Sequence, residues 1–310
     1  MSWNPELDPD YPIGNQVDRI ETIILPKVHD LGGFQIQRAL PSVERKMVGP
    51  FVFFDHIGPA EFLRGNGVDV RPHPHIGLST VTYLYDGSMY HKDSIGTSAS
   101  VDPGDINLMT AGRGITHSER TAMDVRENDH QLYGIQTWLA LPEKQEEMAP
   151  TFENQKSQNL PVIEGKGKHV KLLLGSLYGE RSPVKVHSDM FYADAVLSAG
   201  SKIPLRPEHE ERGLYVVEGE IQIAGDVFKA GQMMTFRTGG EITIEAKSNA
   251  RLILLGGESI GERYLWWNFV ASSQEKIEAA KEAWRQGDWQ HGRFQLPVDD
   301  DAEFMSLPAR

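Results

Sequence analysis

Short runs of β-branched and aromatic residues, each closed by Gly, Pro or Asp, recur along most of the chain. Ile23-Ile24-Leu25, Phe51 to Phe54, Ser79 to Tyr85 and Ile135 to Leu139 stand in the first half. Val170 to Leu174, Met190 to Leu197, Gly213 to Val217, Glu220 to Ile223, Ile242 to Ile244 and Arg251 to Leu255 stand in the second. Runs this short, rich in residues that suit a pleated surface, predict a succession of antiparallel strands. Between the two sets lies a polar stretch, Pro142 to about Lys168, which reads as a connection. The halves share a rhythm. Each has a strand running into an acidic turn, Tyr83-Leu84-Tyr85-Asp86-Gly87 and Tyr215-Val216-Val217-Glu218-Gly219. Each then has a Gly-led turn, Asp102-Pro103-Gly104-Asp105 and Lys229-Ala230-Gly231-Gln232. Internal duplication of a small β-barrel explains this economically.

The pattern changes near the C-terminus. Ser272-Ser273-Gln274-Glu275 has the form of a capping box, Ile277, Ala280 and Trp284 recur on one helical face, and Gly287 is a stop. One helix is predicted over about 273–286, its Ile277/Trp284 face packed on a barrel. The final residues, including Asp299-Asp300-Asp301, read as a solvated tail. The expected organisation is an N-terminal barrel over 1–145, a linker over 146–168, a C-terminal barrel over 169–270, and helix and tail over 271–310.

Composition narrows the chemistry. The 310 residues hold 31 Lys+Arg against 44 Asp+Glu, a formal net charge of −13, so direct contact with nucleic acid or an anionic membrane is not expected. There is no cysteine, which removes disulfides, thiolate metal sites and Cys nucleophiles. Any metal must sit on His and carboxylate. Met1 to Asp8 has neither a basic nor an apolar region of a signal peptide, and no window nears the roughly 18 apolar residues of a membrane span. A cytoplasmic protein is expected.

Two segments carry candidate metal ligands. Arg71-Pro72-His73-Pro74-His75 holds a His-x-His, and on a strand residues two apart share a face. His117-x-Glu119, after the Gly-rich Thr110-Ala111-Gly112-Arg113-Gly114, repeats the device. A lone His-x-His is more often a pair of surface residues. Paired across a small barrel, the two dipeptides would put three imidazoles and a carboxylate around one divalent first-row ion, with positions open for substrate or oxygen.

These segments resemble the two cupin motifs: Gly67, His73-x-His75 and Gly87, then Gly104-Asp105, Gly112-x-Gly114 and His117. The general cupin pattern has a Glu where Ser79 or Thr80 stands, and an Asn after the second-motif His. Here Glu119 follows His117 instead. That variant, with Thr-Ala-Gly-Arg-Gly-Ile-Thr-His-Ser-Glu over 110–119, resembles the pirin family, as do Phe53 to Pro59, Thr80 to Met89 and Tyr264 to Val270. The resemblance implies an all-β bicupin of two antiparallel jelly-roll barrels with a short C-terminal helix. It implies one non-haem Fe2+ in the N-terminal barrel, held by His73, His75, His117 and Glu119. Mn, Ni, Cu or Zn are the competing ions, since affinity order alone does not select iron. Many pirins read Arg-Gly-Phe-Glu where Ile76-Gly77-Leu78-Ser79 stands, which bears on substrate preference. The second barrel offers only His209-Glu210-Glu211, with no His after Gly231 until His291, and is expected to be metal-free.

Three functions follow from the resemblance. Pirin-like proteins resemble quercetin 2,3-dioxygenases, so the first is opening of a flavonol-like aromatic substrate with O2 and release of carbon monoxide, Glu119 serving as ligand and general base. The second is a metal- or redox-responsive interaction protein, a co-regulator working through a protein partner. The third is another reaction on the same site, since cupins host many chemistries. Elsewhere, Gly257-Glu258-Ser259-Ile260-Gly261 fits a nucleophile elbow by chance, since no amphipathic helix follows. Trp266-Trp267 reads as packing between the halves. His91, His130, His169 and His187 read as surface residues.

Overall fold

The computed structural model describes residue 7 and residues 19–30 and 34–309. Apart from Leu7, the polar stretch Met1 to Asp8 lies outside the described residues. Contacts gather the chain into two units: Met1–His29, Gln37–Phe54 and Gln158–Ile260 in one, Asp30–Ile36, Asp55–Ser157 and Gly261–Arg310 in the other. We call them the C-terminal and N-terminal barrels.

The C-terminal barrel is a sandwich of antiparallel sheets. Its larger sheet runs Ile20–Ile24, Met233–Phe236, Glu211–Glu218, Ala250–Gly257, Met190–Leu197, Lys168–Leu177 and Val162–Gly165. Its smaller sheet runs Lys202–Leu205, Ile242–Ala246, Glu220–Ile223 and Asp226–Lys229. Leu172, Ala193, Leu214 and Leu254 from one sheet share a buried cluster with Ile203, Ile221 and Ile244 from the other. Period-two side-chain alternation brings these residues to a common interior.

The N-terminal barrel repeats the plan. One sheet runs Thr151–Gln155, Ile106–Thr110, Leu78–Asp86, His130–Ala140 and then Phe51–Phe62. The facing four-stranded sheet runs Asp69–His75, Ile115–Arg120, Met89–Asp93 and Ser98–Val101. Ile115–Arg120 therefore lies between Asp69–His75 and Met89–Asp93, and both flank its inward face. The shared rhythm is visible in the turns. Gly87 and Gly219 hold φ of 76° and 80°. A Cβ on either would collide with the carbonyl oxygen of Gln131 or Asn249, so close approach as well as backbone conformation requires glycine.

Gln274–Gln286 forms the expected helix. Ser273 caps it by accepting from the Lys276 amide, while Ser272 donates to Glu146 instead. Gly287 closes it at φ 66°. Ile277, Ala280 and Trp284 pack on Ile76, Phe269 and Phe294. Trp266 and Trp267, expected between the halves, pack against this same cluster within the N-terminal barrel. The polar stretch 146–168 is not bare connection. Thr151–Gln155 pairs with Ile106–Thr110, and Val162–Gly165 with Lys168 to Lys171.

The acidic tail is exposed at Asp299 and Asp301, as expected, but Asp300 is held by the fold. Asp300 takes a bidentate pair from Arg120, at 2.8 and 2.9 Å, and accepts from the Ser118 hydroxyl at 2.6 Å. Trp284 Nε1 donates to the Met305 carbonyl at 3.0 Å, and the Met305 amide donates to Pro72 O at 2.8 Å. The tail thus ties down both strands that carry the candidate ligands. Among the described residues, no helix is long and apolar enough to cross a membrane.

Candidate metal centre

Antiparallel pairing of Asp69–His75 with Ile115–Arg120 sets His117 opposite His73 and Ile115 opposite His75. The register places the His73, His75 and His117 side chains on one inward face. Their ring centroids lie 4.4 to 5.0 Å apart. One nitrogen from each converges, all three within 4.8 Å of one another.

The proton positions of two of these rings follow from their outer contacts. His73 Nδ1 lies 2.9 Å from the Arg71 carbonyl, and His75 Nδ1 lies 3.1 Å from the Asn268 carbonyl. A carbonyl only accepts, so each ring donates from Nδ1 and leaves the Nε2 lone pair facing inward. His75 Nε2 and His117 Nε2 stand 3.1 Å apart. Nitrogens at right angles around an ion, with bonds of about 2.1 Å, would stand at about this separation. Burial favours the neutral rings that a metal requires. It lowers the His73 pKa to about 4, and with neighbouring imidazoles holds His75 and His117 well below the usual histidine value. The donor set fits a divalent first-row ion.

Glu119 is buried two residues beyond His117, with His91 as its cross-strand partner. Gln136 Nε2 donates to its Oε1 at 2.7 Å. The three converging nitrogens form a group without it. Burial raises its pKa, against the opposing pull of His91 and the Gln136 hydrogen bond. Ser79, one of the two residues that stand where the general cupin pattern has Glu, bonds to the Thr110 hydroxyl at 2.8 Å.

His91 corrects the reading of it as a surface residue. It is 4% exposed, stacks on Phe152 at 4.6 Å, and brings Nδ1 to 3.3 Å from His117 Nδ1. Its Nε2 lies 3.1 Å from Asp93 Oδ2. The signal was present in His91-x-Asp93, the same two-residue spacing as His73-x-His75.

Other candidates are engaged separately. In the C-terminal barrel, His209 Nε2 faces Ser176 O at 3.2 Å. Glu211 accepts from Arg45 and from the Gly49 amide, both at 2.8 Å. After Gly257-x-Ser259-x-Gly261 the chain enters the short strand Tyr264–Trp266, not a helix.

Known proteins align with this architecture. The Pirin family matches residues 33–139, and the Pirin C-terminal cupin domain matches residues 192–294. A pirin-like protein of Caulobacter vibrioides is 42% identical over 292 residues, spanning 93% of this chain and 99% of that protein. Pirin-1 of Arabidopsis thaliana is 30% identical over 267 residues, spanning 83% of this chain and 89% of that protein. The crystal structure of a quercetin 2,3-dioxygenase from Acinetobacter baumannii superposes with a TM-score of 0.86 at 37% identity, covering 96% of this chain and 97% of that one. Two cupin domains, a short C-terminal helix and these matches lead to one assignment: the chain belongs to the pirin family.

Proposed function

We propose that the chain is a cytoplasmic metal-dependent dioxygenase that opens a flavonol-like substrate with O2 and releases carbon monoxide. His73, His75, His117 and Glu119 would hold one divalent ion, Fe2+ in this reading. The observation that carries it is the convergence of three buried imidazoles. The similarity to the Acinetobacter quercetin 2,3-dioxygenase supports the reaction class. When bound, the ion supplies Lewis acidity toward an enolic hydroxyl and a template for substrate and O2.

The chain's own residues do the rest. His73 and His75 are oriented by backbone carbonyls, so their inward lone pairs need no rearrangement to bind. Glu119, whose carboxyl pKa burial raises in the metal-free chain, would take the hydroxyl proton. Gln136 holds its Oε1 and so fixes the direction of the carboxylate. His73, His75, His117 and Glu119 are all buried, which would limit water at the acceptor.

The test is metal analysis of protein purified under controlled oxygen, joined to O2 uptake and CO release with quercetin. About one metal per chain and coupled gas exchange are expected. Glu119→Gln should retain some metal but lose a factor of about 10²–10⁴ in turnover, the usual range for general acid–base catalysis. Turnover unchanged at equal loading would overturn the role of Glu119 as base. Metal-loaded wild type inert toward several flavonols would overturn the dioxygenase.

A further inference from the structure

His117 differs from the other two imidazoles: among the described residues, no carbonyl receives its Nδ1 proton in the way Arg71 and Asn268 serve His73 and His75. Its Nδ1 faces another imidazole nitrogen, that of His91, at 3.3 Å. Either ring can donate across that contact, and only one choice leaves His117 Nε2 bare. We propose that Asp93 and His91 form a positioning relay that makes this choice. The inference rests on the reading of His73, His75 and His117 as metal-holding residues.

Asp93 is 1% exposed, at the end of the Met89–Asp93 strand. Its Oδ1 receives the amides of Ile95 and Thr97 at 3.0 and 2.9 Å, an Asx-type turn that locks the side chain. Its Oδ2 lies 3.1 Å from His91 Nε2. A carboxylate oxygen accepts, so the proton of that contact belongs to His91 Nε2. In the neutral ring the lone pair of His91 is then on Nδ1, aimed at His117 Nδ1, and the proton between the rings is donated by His117. His117 Nε2 is left as a lone pair facing His75 Nε2. Stacking on Phe152 holds the plane of His91. Neither His91 nor Asp93 is among the converging residues; the relay acts through His117, separately from the electrostatic pull of His91 on Glu119.

Asp93→Asn inverts the instruction with little change of shape. Its amide oxygen can keep the Ile95 and Thr97 amides, and its NH2 then meets His91 Nε2. His91 must accept there and carry its proton on Nδ1, which donates to His117 Nδ1 and moves the His117 proton to Nε2, where the metal must bind. Long-range ¹H–¹⁵N NMR of the metal-free protein reads this directly. Wild-type His117 is expected as the Nδ1–H tautomer and Asp93→Asn as Nε2–H, with His73 and His75 unchanged. Calorimetric affinity for Ni2+ should fall about 10–100-fold, as for other groups that orient a ligating histidine.

A second pair keeps the test decisive if Asp93→Asn does not fold. His91→Asn offers an acceptor oxygen near the Nδ1 position and should keep most of the Ni2+ affinity. His91→Phe keeps the stacking but offers no acceptor, and should lose at least about tenfold. The relay is overturned by an Nε2–H tautomer of His117 in wild type, by wild-type affinity in Asp93→Asn, or by equal affinities in the two His91 variants. Wild type that binds no Ni2+ at all overturns the metal reading itself, an outcome distinct from wild type and Asp93→Asn binding equally.

Discussion

Single residues in the N-terminal barrel are governed by burial more than by their chemical type. His56 is 4% exposed, with its ring 5.4 Å from that of Tyr133, and burial lowers its pKa from 6.5 to about 4. A histidine kept neutral in the fold but protonated in the unfolded chain destabilises the fold on acidification. Its contribution is intact above pH 6.5 and is lost as pH falls toward about 4, a loss of about 3 kcal/mol at most. Urea midpoints of metal-free protein should therefore fall more steeply between pH 7 and 4.5 for wild type than for His56→Gln. Parallel profiles would remove His56 as the cause. At this scale the sequence was legible where two residues formed a pattern: His73-x-His75 and His117-x-Glu119 marked the face on which three imidazoles meet. His91 reads as a surface residue only while it is taken alone and not with Asp93, two residues on. Its neighbours Phe152 and His117 are distant in sequence.

At the scale of elements, apolar pattern located the strands that have a buried face and failed on those at sheet edges. Thr151–Gln155 ends its sheet, has one strand neighbour, and is half-exposed along its length. Val162–Gly165 likewise ends its sheet. An edge strand with little buried surface needs no apolar alternation, so the 146–168 stretch read as linker. The helix was legible because its cap, its stripe and its stop agree. The tail was not, because Asp300 meets Arg120 through the fold, 180 residues away. Trp284 joins helix and tail: its ring contacts Trp289, Phe294 and Phe304, and its Nε1 donates to Met305 O. Trp284→Ala should cost about 3–5 kcal/mol in denaturant unfolding, the range for a large buried aromatic. It should also expose the segment after Pro297 to proteases. Cleavage at the wild-type rate would show that the tail is held without Trp284.

Across the whole molecule, one plan is used twice with different polar investment. The N-terminal barrel keeps imidazoles on the inward face of its small sheet. In the C-terminal barrel, Arg212 is buried and spends its guanidinium on the carbonyls of Leu205, Arg237, Gly239 and Gly240. Those four contacts engage both terminal nitrogens of the guanidinium through protein carbonyls, while its Nε has no partner among the described residues. The two barrels should thus answer a metal differently. Ligand binding stabilises only the states that form the site, by about 2.7 kcal/mol at a hundredfold excess over Kd. Local openings of Asp69–His75 and Ile115–Arg120 break the site, whereas an opening confined to Glu211–Glu218 leaves it intact. Hydrogen exchange measured with and without Ni2+ should slow at the first two strands and stay the same at Glu211–Glu218 and at Arg237 to Gly240, wherever exchange proceeds through local rather than global unfolding. Protection that appears instead around His209 and Glu211 would put the ion in the other barrel and reverse the assignment of the site.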